Sequence, residues 1–278
     1  MESKRFGLLG YPLGHSLSPL IHKEVMELCG VKGEYNLYET PRESFENGIE
    51  GVMKNLNGFN VTIPYKTDIL PFIDKLCGEA ALMETVNTVK IENGALSGYN
   101  TDCNGFLRSL EGAEMKIGKS VLICGSGGVS RMFAFVCAEK GAGVTLAVRP
   151  SGLERAKKLK AEIEIKLGVS VIVTTLDEVN KGYSLIVNGT PAGMYPDNDS
   201  SPLKKEAVLL SEAVFDAVYN PAETKLLSYA KEGGLKYVNG LPMLVWQAAA
   251  AQEIWNGIAV KKEDIQRITE LCEKELKG

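Results

Sequence analysis

One stretch of the sequence has a glycine spacing suited to binding phosphate. The residues Gly125-Ser126-Gly127-Gly128-Val129-Ser130 follow the apolar run Ser120-Val121-Leu122-Ile123-Cys124 and precede the apolar segment 132–140. In a strand–turn–helix unit the first glycine permits the tight turn, the second lets a pyrophosphate approach the backbone, and a small third residue allows close packing. The N–H groups and partial positive charge of the helix N-terminus then favour phosphate. We therefore predict a dinucleotide site here, the alternative being a plain strand–turn–helix.

The residue at the end of the next predicted strand bears on the choice of cofactor. NAD sites usually place Asp or Glu there, about 20 residues after the glycines, to accept from the ribose 2′-OH. Here the strand 144–148 is followed by Arg149, and Arg155, Lys157 and Lys158 come soon after. A guanidinium suits a 2′-phosphate, which it binds through charge-assisted hydrogen bonds. The sequence thus predicts NADP with NAD still possible, unless Arg149 is simply a solvated cation.

The first hundred residues have the pattern of an α/β domain, in which short apolar runs alternate with amphipathic ones. Asn93-Gly94 predicts a hairpin turn, because both central positions of such a turn favour positive φ. We expect a mixed sheet. The predicted strands are 5–9, 35–38, 58–62, 88–91 and 96–99, and the predicted helices are 18–29 and 43–56.

From Lys119 the pattern becomes a regular strand–helix repeat, whose near-continuous apolar runs indicate buried parallel strands. A helix near residues 100–118 is expected to join the two domains. The prediction is an α/β protein with a mixed-sheet domain (1–104) and a Rossmann-type doubly wound domain (105–240), with the helices in 241–278 packing back on the first domain. The predicted parallel strands are 120–124, 144–148, 169–173, 185–187 and 213–218, and the tail helices are 243–255 and 262–277.

Composition excludes several classes of function. A net charge of −4 over 278 residues gives no general attraction to nucleic acid or anionic lipid, so we expect a small-molecule substrate. No apolar run is long enough to span a bilayer, which favours a cytoplasmic location. Six scattered cysteines without a C-x-x-C pair indicate reduced thiols. Because His15 and His22 are the only histidines and no Cys/His cluster has ligand spacing, we expect no metal site. Monomer and homodimer both stay open.

Two stretches of the first domain are not explained by folding alone, Asn60-Val61-Thr62-Ile63-Pro64-Tyr65-Lys66 and Gly98-Tyr99-Asn100-Thr101-Asp102-Cys103-Asn104-Gly105. Together with further collinear motifs they resemble the shikimate dehydrogenase family over nearly the whole chain. The further motifs are Gly14-His15-Ser16-Leu17-Ser18-Pro19, Val86-Asn87-Thr88, Asn188-Gly189-Thr190-Pro191-Ala192-Gly193-Met194, Tyr219-Asn220-Pro221 and Gly240-Leu241-Pro242-Met243-Leu244-Val245-Trp246-Gln247. The resemblance implies an oxidoreductase that reversibly reduces 3-dehydroshikimate to shikimate with NADPH, in the biosynthesis of chorismate and aromatic amino acids.

The resemblance also implies that residues 1–104 form the substrate-binding catalytic domain and residues 105–240 the NADP-binding domain, and it implies the roles of individual residues. Lys66 would transfer the proton, and Asp102 would orient Lys66, share its proton and contact a substrate hydroxyl. Oxidation of a secondary alcohol removes a proton from oxygen as hydride leaves carbon, so the reaction calls for such a group. Without the resemblance, Lys66 would be interpreted as a surface lysine and Thr101-Asp102 as a helix cap.

The other implied contacts divide between substrate and nicotinamide. Ser16 and Ser18 would bind the substrate carboxylate, a role compatible with capping the helix that starts there. His15 is interpreted as structural. The remaining implied substrate contacts are Asn60, Thr62, Asn87, Tyr219 and Gln247, and those implied for the nicotinamide half of the cofactor are Thr190, Gly193, Met194 and Gly240.

The sequence departs from the family pattern after the second cofactor strand, where Asn-Arg-Thr is usual and this chain has Val148-Arg149-Pro150-Ser151. This change weakens the predicted preference for NADP. Three alternatives stay open: a quinate/shikimate dehydrogenase paralogue, a noncatalytic dinucleotide-binding regulatory module, and a tetrahydrofolate-linked dehydrogenase. The last does not account for Thr101-Asp102 or for Ser16 and Ser18.

Overall fold

The computed structural model describes residues 3–14 and 16–276, so His15 lies outside the described residues. The chain divides into two compact units, unit 1 with Met1–Gly105 and Leu244–Gly278, and unit 2 with Phe106–Met243. Each unit contains a six-stranded sheet. None of the helices in the described ranges combines the length and the apolarity needed to cross a lipid bilayer.

Unit 1 contains a mixed sheet, as the sequence predicted. Its strand order is β2-β1-β3-β5-β6-β4; β1 is parallel to β2 and β3, whereas β5 is antiparallel to β3 and β6. The elements are β1 (Lys4–Gly10), α1 (Ser18–Leu28), β2 (Gly33–Glu39), α2 (Phe45–Asn55), β3 (Gly58–Val61), β4 (Lys75–Leu76), α3 (Glu79–Met83), β5 (Thr88–Glu92), β6 (Ala95–Tyr99) and the start of α4 (Thr101–Gly112), followed at the end of the chain by α9 (Leu241–Asn256) and α10 (Lys262–Glu275).

This topology gathers several loops at one edge of the unit 1 sheet. The carboxyl ends of β1, β3 and β6 meet there with the amino end of β5, because β5 runs opposite to β3 and β6. Thr62 to Lys66, Asn87 and Asp102 all lie in segments that leave or enter strands at this edge. Residues far apart in the chain are thereby brought together.

The C-terminal helices form part of the unit 1 core. The indole of Trp255 in α9 stacks on Phe6 of β1 with ring centroids 4.6 Å apart, and its Nε1–H donates to the Val89 carbonyl over 2.9 Å. A Cβ at Gly58 would lie 2.4 Å from Trp255 Nε1, so only glycine leaves room for this ring. The last helix, α10, packs on α1.

Unit 2 is a doubly wound parallel sheet with the strand order β12-β11-β10-β7-β8-β9, which confirms the Rossmann-type prediction. The order reverses between β7 and β10, and ligands bind at the carboxyl ends of the strands at such a switch point. The elements are β7 (Ser120–Cys124), α5 (Gly128–Glu139), β8 (Gly143–Val148), α6 (Leu153–Leu167), β9 (Val171–Thr175), β10 (Leu185–Asn188), α7 (Lys205–Leu209), β11 (Ala213–Asp216), α8 (Lys225–Glu232) and β12 (Lys236–Val238).

The structure corrects several predicted boundaries. The strand predicted at 169–173 is β9, two residues later, because α6 continues to Leu167 and is closed by Gly168. The strand predicted at 213–218 ends at Asp216, because its carboxylate accepts from the Val218 N–H and turns the chain. The last helix ends at Glu275 rather than at Lys277, which lies outside the described residues. The short elements β4, α3 and β12 were not predicted.

Candidate active site

Lys66 and Asp102 form an ion pair in unit 1. Lys66 Nζ donates to Asp102 Oδ2 over 2.5 Å, and both side chains are only partly exposed. A charge-assisted hydrogen bond of this kind is stronger than a neutral one and restrains both groups. The pair that the family resemblance implied is therefore in contact, with an ammonium held beside a carboxylate.

The backbone around Lys66 is anchored by its buried neighbour. Tyr65 stacks on Phe45 with ring centroids 4.1 Å apart, and its hydroxyl donates to the Thr40 carbonyl over 2.6 Å. The Val86 N–H donates to the Lys66 carbonyl over 2.8 Å. These contacts fix the main chain of Lys66 while its side chain reaches toward Asp102.

Asp102 lies in the first turn of α4, and Asn87 caps that helix. Asn87 Oδ1 accepts from the Thr101 N–H over 2.7 Å and lies 3.1 Å from Thr101 Oγ1. Thr88 Oγ1 lies 3.0 Å from Asn87 Oδ1 and 2.9 Å from Thr101 Oγ1. Because these groups are buried, the position of Asp102 is set by polar contacts that water does not weaken.

The same network includes Asn60. Its Nδ2 donates to the Asn87 carbonyl over 3.1 Å and to Thr88 Oγ1 over 2.9 Å, and its Oδ1 accepts from the Tyr35 hydroxyl over 2.8 Å. Both amide hydrogens of Asn60 are thus used within the protein, so in this conformation Asn60 supports Asn87 and Thr88. Neither Tyr35 nor Thr88 is among the site residues predicted from the sequence, although Thr88 belongs to the motif Val86-Asn87-Thr88.

His22 lies in the core beside this network. Its ring stacks on Tyr35 with centroids 3.9 Å apart, and burial lowers its pKa to about 3, so the ring is neutral. Asn256 Nδ2 donates to Gln252 Oε1, so Gln252 Nε2 faces His22 Nδ1 over 3.0 Å and the ring proton resides on Nε2. Within residues 3–14 and 16–276, no group of three or more His, Cys or carboxylate side chains could hold a metal ion.

The other residues implied for the substrate are placed as follows. Ser16 Oγ accepts from the Ser18 N–H over 3.2 Å just before α1, whose N-cap residue is Leu17 and has no side-chain capping bond. The hydroxyl of Thr62 is partly buried and has no hydrogen-bond partner among the described residues. Gln247 Nε2 donates to the Leu244 carbonyl over 2.9 Å within α9. Tyr219 is in unit 2, just after β11.

The glycine loop after β7 has the geometry expected of a phosphate-binding turn. Gly125 has φ 101°, and a Cβ there would lie 2.8 Å from Ser130 Oγ, so a larger residue would be strained and crowded. Ser130 Oγ donates to the Gly189 carbonyl over 3.1 Å, which joins the start of α5 to the segment after β10. At Gly127, by contrast, an added Cβ would meet no atom within 4 Å. The backbone at Gly127 is open to a ligand.

A cavity of about 430 Å³ lies beside this loop in unit 2, and its lining includes Gly125, Ser126, Arg149, Ser151, Asp177 and Thr190. Arg149 is exposed and makes no ion pair with any residue in the described part of the chain. Lys157, in contrast, pairs with Glu154 over 2.8 Å. The cavity therefore offers a ligand one carboxylate and a guanidinium that makes no ion pair within the described part of the chain.

The predicted nicotinamide residues have mixed surroundings. Thr190 lines the cavity and the Met194 side chain is exposed. A Cβ at Gly240 would lie 2.1 Å from the Ala217 carbonyl oxygen, so packing within unit 2 is sufficient to require glycine there. The structure explains Gly240 without a ligand, and its contact with nicotinamide stays a prediction.

A doubly wound sheet with a phosphate-binding turn, together with a unit that holds a lysine–carboxylate pair, defines a two-domain dehydrogenase of the nicotinamide dinucleotide class. Residues 8–89 match the family described as the shikimate dehydrogenase substrate binding domain. A shikimate dehydrogenase (NADP(+)) of Clostridium perfringens is 41% identical over 271 residues, covering 96% of this chain and 97% of the relative.

Solved structures of shikimate dehydrogenases are also similar to this chain. Shikimate 5-dehydrogenase of Thermus thermophilus in complex with NADP(H) and shikimate is 34% identical with a TM-score of 0.86, over 96% of this chain and 99% of that one. Shikimate 5-dehydrogenase of Listeria monocytogenes in complex with shikimate and NAD is 30% identical with a TM-score of 0.89, over 97% and 96%. The chain belongs to the shikimate dehydrogenase family.

Proposed function

We propose that this protein is an NADP-dependent oxidoreductase that reversibly reduces 3-dehydroshikimate to shikimate in aromatic amino acid biosynthesis. The contact between Lys66 Nζ and Asp102 Oδ2 carries the proposal, because a lysine held beside a carboxylate is suited to donate a proton to a carbonyl oxygen. The relatives that match nearly the full chain bear the name of this activity.

The residues of unit 2 fit a dinucleotide. The open backbone at Gly127 would bind the pyrophosphate at the start of α5, and the unpaired guanidinium of Arg149 would bind the 2′-phosphate. When bound, the nicotinamide supplies hydride in reduction and accepts it in oxidation. Asp177 also lines the cavity, and Pro150 follows Arg149. Both features are compatible with some use of NAD.

In the reductive direction Lys66 donates a proton from its ammonium group to the carbonyl oxygen as the carbon receives hydride, and the product is the alcohol. Asp102 holds the Lys66 ammonium through the hydrogen bond between them and accepts from a substrate hydroxyl. In the oxidative direction neutral Lys66 takes the hydroxyl proton. A positioned acid or base typically contributes about 10²- to 10⁴-fold.

The substrate is a carboxylate with several hydroxyls, and the polar residues of unit 1 suit it. Ser16 and Ser18 would donate to the carboxylate. Thr62, Asn87 and Gln247 would contact hydroxyls, while Asn60 would act mainly by holding Asn87. A site that pairs each hydroxyl rejects analogues that lack one.

The test measures the initial rates of NADP⁺ and NAD⁺ reduction with shikimate and with quinate. The wild type should turn over shikimate with NADP⁺, and Lys66→Ala should lower kcat by about 10²-fold or more, as expected for loss of an acid–base group. Lys90→Ala is the matched control, since Lys90 pairs with Glu92 over 2.8 Å and is similarly buried in the same unit. The control should keep wild-type kcat.

Each other outcome has a defined meaning. Faster turnover of quinate than of shikimate would identify the paralogue with altered substrate choice. No turnover of either acid with either dinucleotide would contradict the enzymatic proposal and favour a noncatalytic dinucleotide-binding module. Cytoplasmic location, the monomeric or dimeric state and the assignment of substrate and cofactor to separate domains stay predictions from the sequence.

A further inference from the structure

Asp216 is a fully buried carboxylate at the carboxyl end of β11. Its Oδ1 accepts from Asn188 Nδ2 over 2.9 Å and from the Val218 N–H over 3.0 Å, and its Oδ2 accepts from Thr224 Oγ1 over 2.6 Å. Three separate chain segments therefore donate to one carboxylate, the end of β10, the turn after β11 and the start of α8.

The contact with Asn188 continues into the segment that follows β10. Asn188 pairs in register with Asp216 and is itself fully buried. Asn188 Oδ1 accepts from the Thr190 N–H over 2.9 Å and from Thr190 Oγ1 over 2.7 Å. Thr190 Oγ1 in turn accepts from the Ala192 N–H over 3.3 Å. The carboxylate orients Asn188, and Asn188 orients the first residues of the segment 190–194.

The contact with Thr224 supports the far end of the same segment. Thr224 Oγ1 accepts from the Leu227 N–H over 3.3 Å as the cap of α8, so donation to Asp216 fixes its rotamer. A Cβ at Gly193 would lie 3.2 Å from Thr224 Cβ, so the backbone at Gly193 rests against this threonine. The contact with the Val218 N–H fixes the residue that immediately precedes Tyr219.

An apolar side chain would be the favourable choice at a site that only had to fill the core. Burial of a carboxylate is costly, and here it raises the pKa of Asp216 to about 6. The hydrogen bonds offset that cost, and a carboxylate can accept from several segments at once, as no apolar residue can. Compared with an apolar side chain, the buried carboxylate therefore lowers the stability of the fold but fixes the conformation of the segments that donate to it.

We propose that Asp216 is a positioning residue that holds the segment 190–194 and the turn before Tyr219 in the conformation that receives the nicotinamide half of the cofactor. This inference rests on the proposed function for the identity of the ligand. Asp216 itself has no part in proton transfer and none in binding the adenosine half, which the cavity near Arg149 would hold.

The experiment compares two ligands. NADPH carries the nicotinamide, and its fluorescence reports the surroundings of that ring, whereas adenosine 2′,5′-bisphosphate has only the adenosine half. Asp216→Asn should abolish the fluorescence enhancement of bound NADPH and lower kcat with shikimate by about 10-fold, while the Kd of the bisphosphate stays within about two-fold. Thr224→Val should reproduce this pattern. Thr224→Ser keeps the hydroxyl and should behave like the wild type in all three measurements.

Ser211→Ala is the control for a lost hydrogen bond in the core of unit 2, since Ser211 is buried and accepts from the Tyr183 N–H outside the network. It should match the wild type in all measurements. The proposal is overturned if Asp216→Asn keeps the NADPH fluorescence enhancement. It is also overturned if the substitution weakens binding of the bisphosphate as much as binding of NADPH, because that result indicates general damage to unit 2.

The experiment distinguishes failure of this inference from failure of the proposed function. A wild-type protein that does not oxidise shikimate refutes the activity, yet the fluorescence and bisphosphate measurements still test the role of Asp216. If Asp216→Asn does not fold, the two Thr224 variants decide the question, since loss of enhancement in Val but not in Ser requires the hydroxyl that donates to Asp216.

Discussion

The buried hydroxyl of Thr88 allows a quantitative test of how the site is supported. Thr88 is fully buried, and its Oγ1 contacts Asn60 Nδ2, Asn87 Oδ1 and Thr101 Oγ1 over 2.9, 3.0 and 2.9 Å. Thr88→Val keeps the shape of the side chain but removes all three contacts. All three partners keep another bond, Asn60 Nδ2 to the Asn87 carbonyl, and Asn87 Oδ1 to the Thr101 N–H and Thr101 Oγ1, so none is left entirely unpaired.

The expected cost follows from these contacts. A net contribution of about 0.5–1.5 kcal/mol for each hydrogen bond, reduced because the partners keep other bonds, gives a loss of about 2 kcal/mol in the free energy of unfolding. The corresponding decrease in Tm is about 5 °C. Because Thr101 begins the helix that carries Asp102, kcat with shikimate should also fall by about 10-fold.

Urea unfolding and initial-rate kinetics on the same preparations test this prediction. Thr88→Ser keeps the hydroxyl and should retain kcat. Thr145→Val is the second control, since Thr145 is buried in β8 and its hydroxyl makes no hydrogen bond to a residue in the described ranges. If the free energies of unfolding of Thr88→Val and Thr145→Val agree within about 0.5 kcal/mol and Thr88→Val keeps wild-type kcat, the network does not support the site.

Three further predictions concern unit 2. Arg149→Ala should raise the KM for NADP⁺ by about 10- to 100-fold and leave that for NAD⁺ nearly unchanged in steady-state kinetics, because a hydrogen bond to a charged group contributes about 1.5–3 kcal/mol. Gly127→Ala should weaken NADP⁺ binding without changing urea unfolding, whereas Gly240→Ala, whose Cβ would lie 2.1 Å from the Ala217 carbonyl oxygen, should destabilise the fold by about 2 kcal/mol or more. Burial raises the pKa of Asp216 from 3.8 to about 6, so the folded state binds this proton more tightly than the unfolded state does. The stability of the wild type relative to Asp216→Asn should therefore fall by about 2 kcal/mol as the pH rises from about 4 to about 7, and a difference independent of pH in denaturant unfolding would contradict the assignment.

The parts of this protein that depend on local patterns could be predicted from the sequence. The hairpin at Asn93-Gly94 forms with φ of 52° and 81° at these residues, because that turn geometry is a property of the dipeptide itself. The glycine turn after β7 and the position of Arg149 after β8 follow in the same way from a strand, a short loop and a helix that are contiguous in the chain. Apolar runs likewise identified most strands of the parallel sheet.

Other features depend on residues that only the folded chain brings together. Lys66 and Asp102 are 36 residues apart in sequence, and their partnership was indicated by family resemblance alone until the structure placed them in contact. The network around Thr88 and the donors to Asp216 join segments of several strands, and no local periodicity records such contacts. Nothing in the sequence shows that Gly58 and Gly240 are required by packing, but in the structure Trp255 and Ala217 leave no space for a Cβ at these positions. Local sequence determines the backbone conformation of a turn or strand, whereas hydrogen bonding and steric exclusion between distant segments exist only once the sheets have formed.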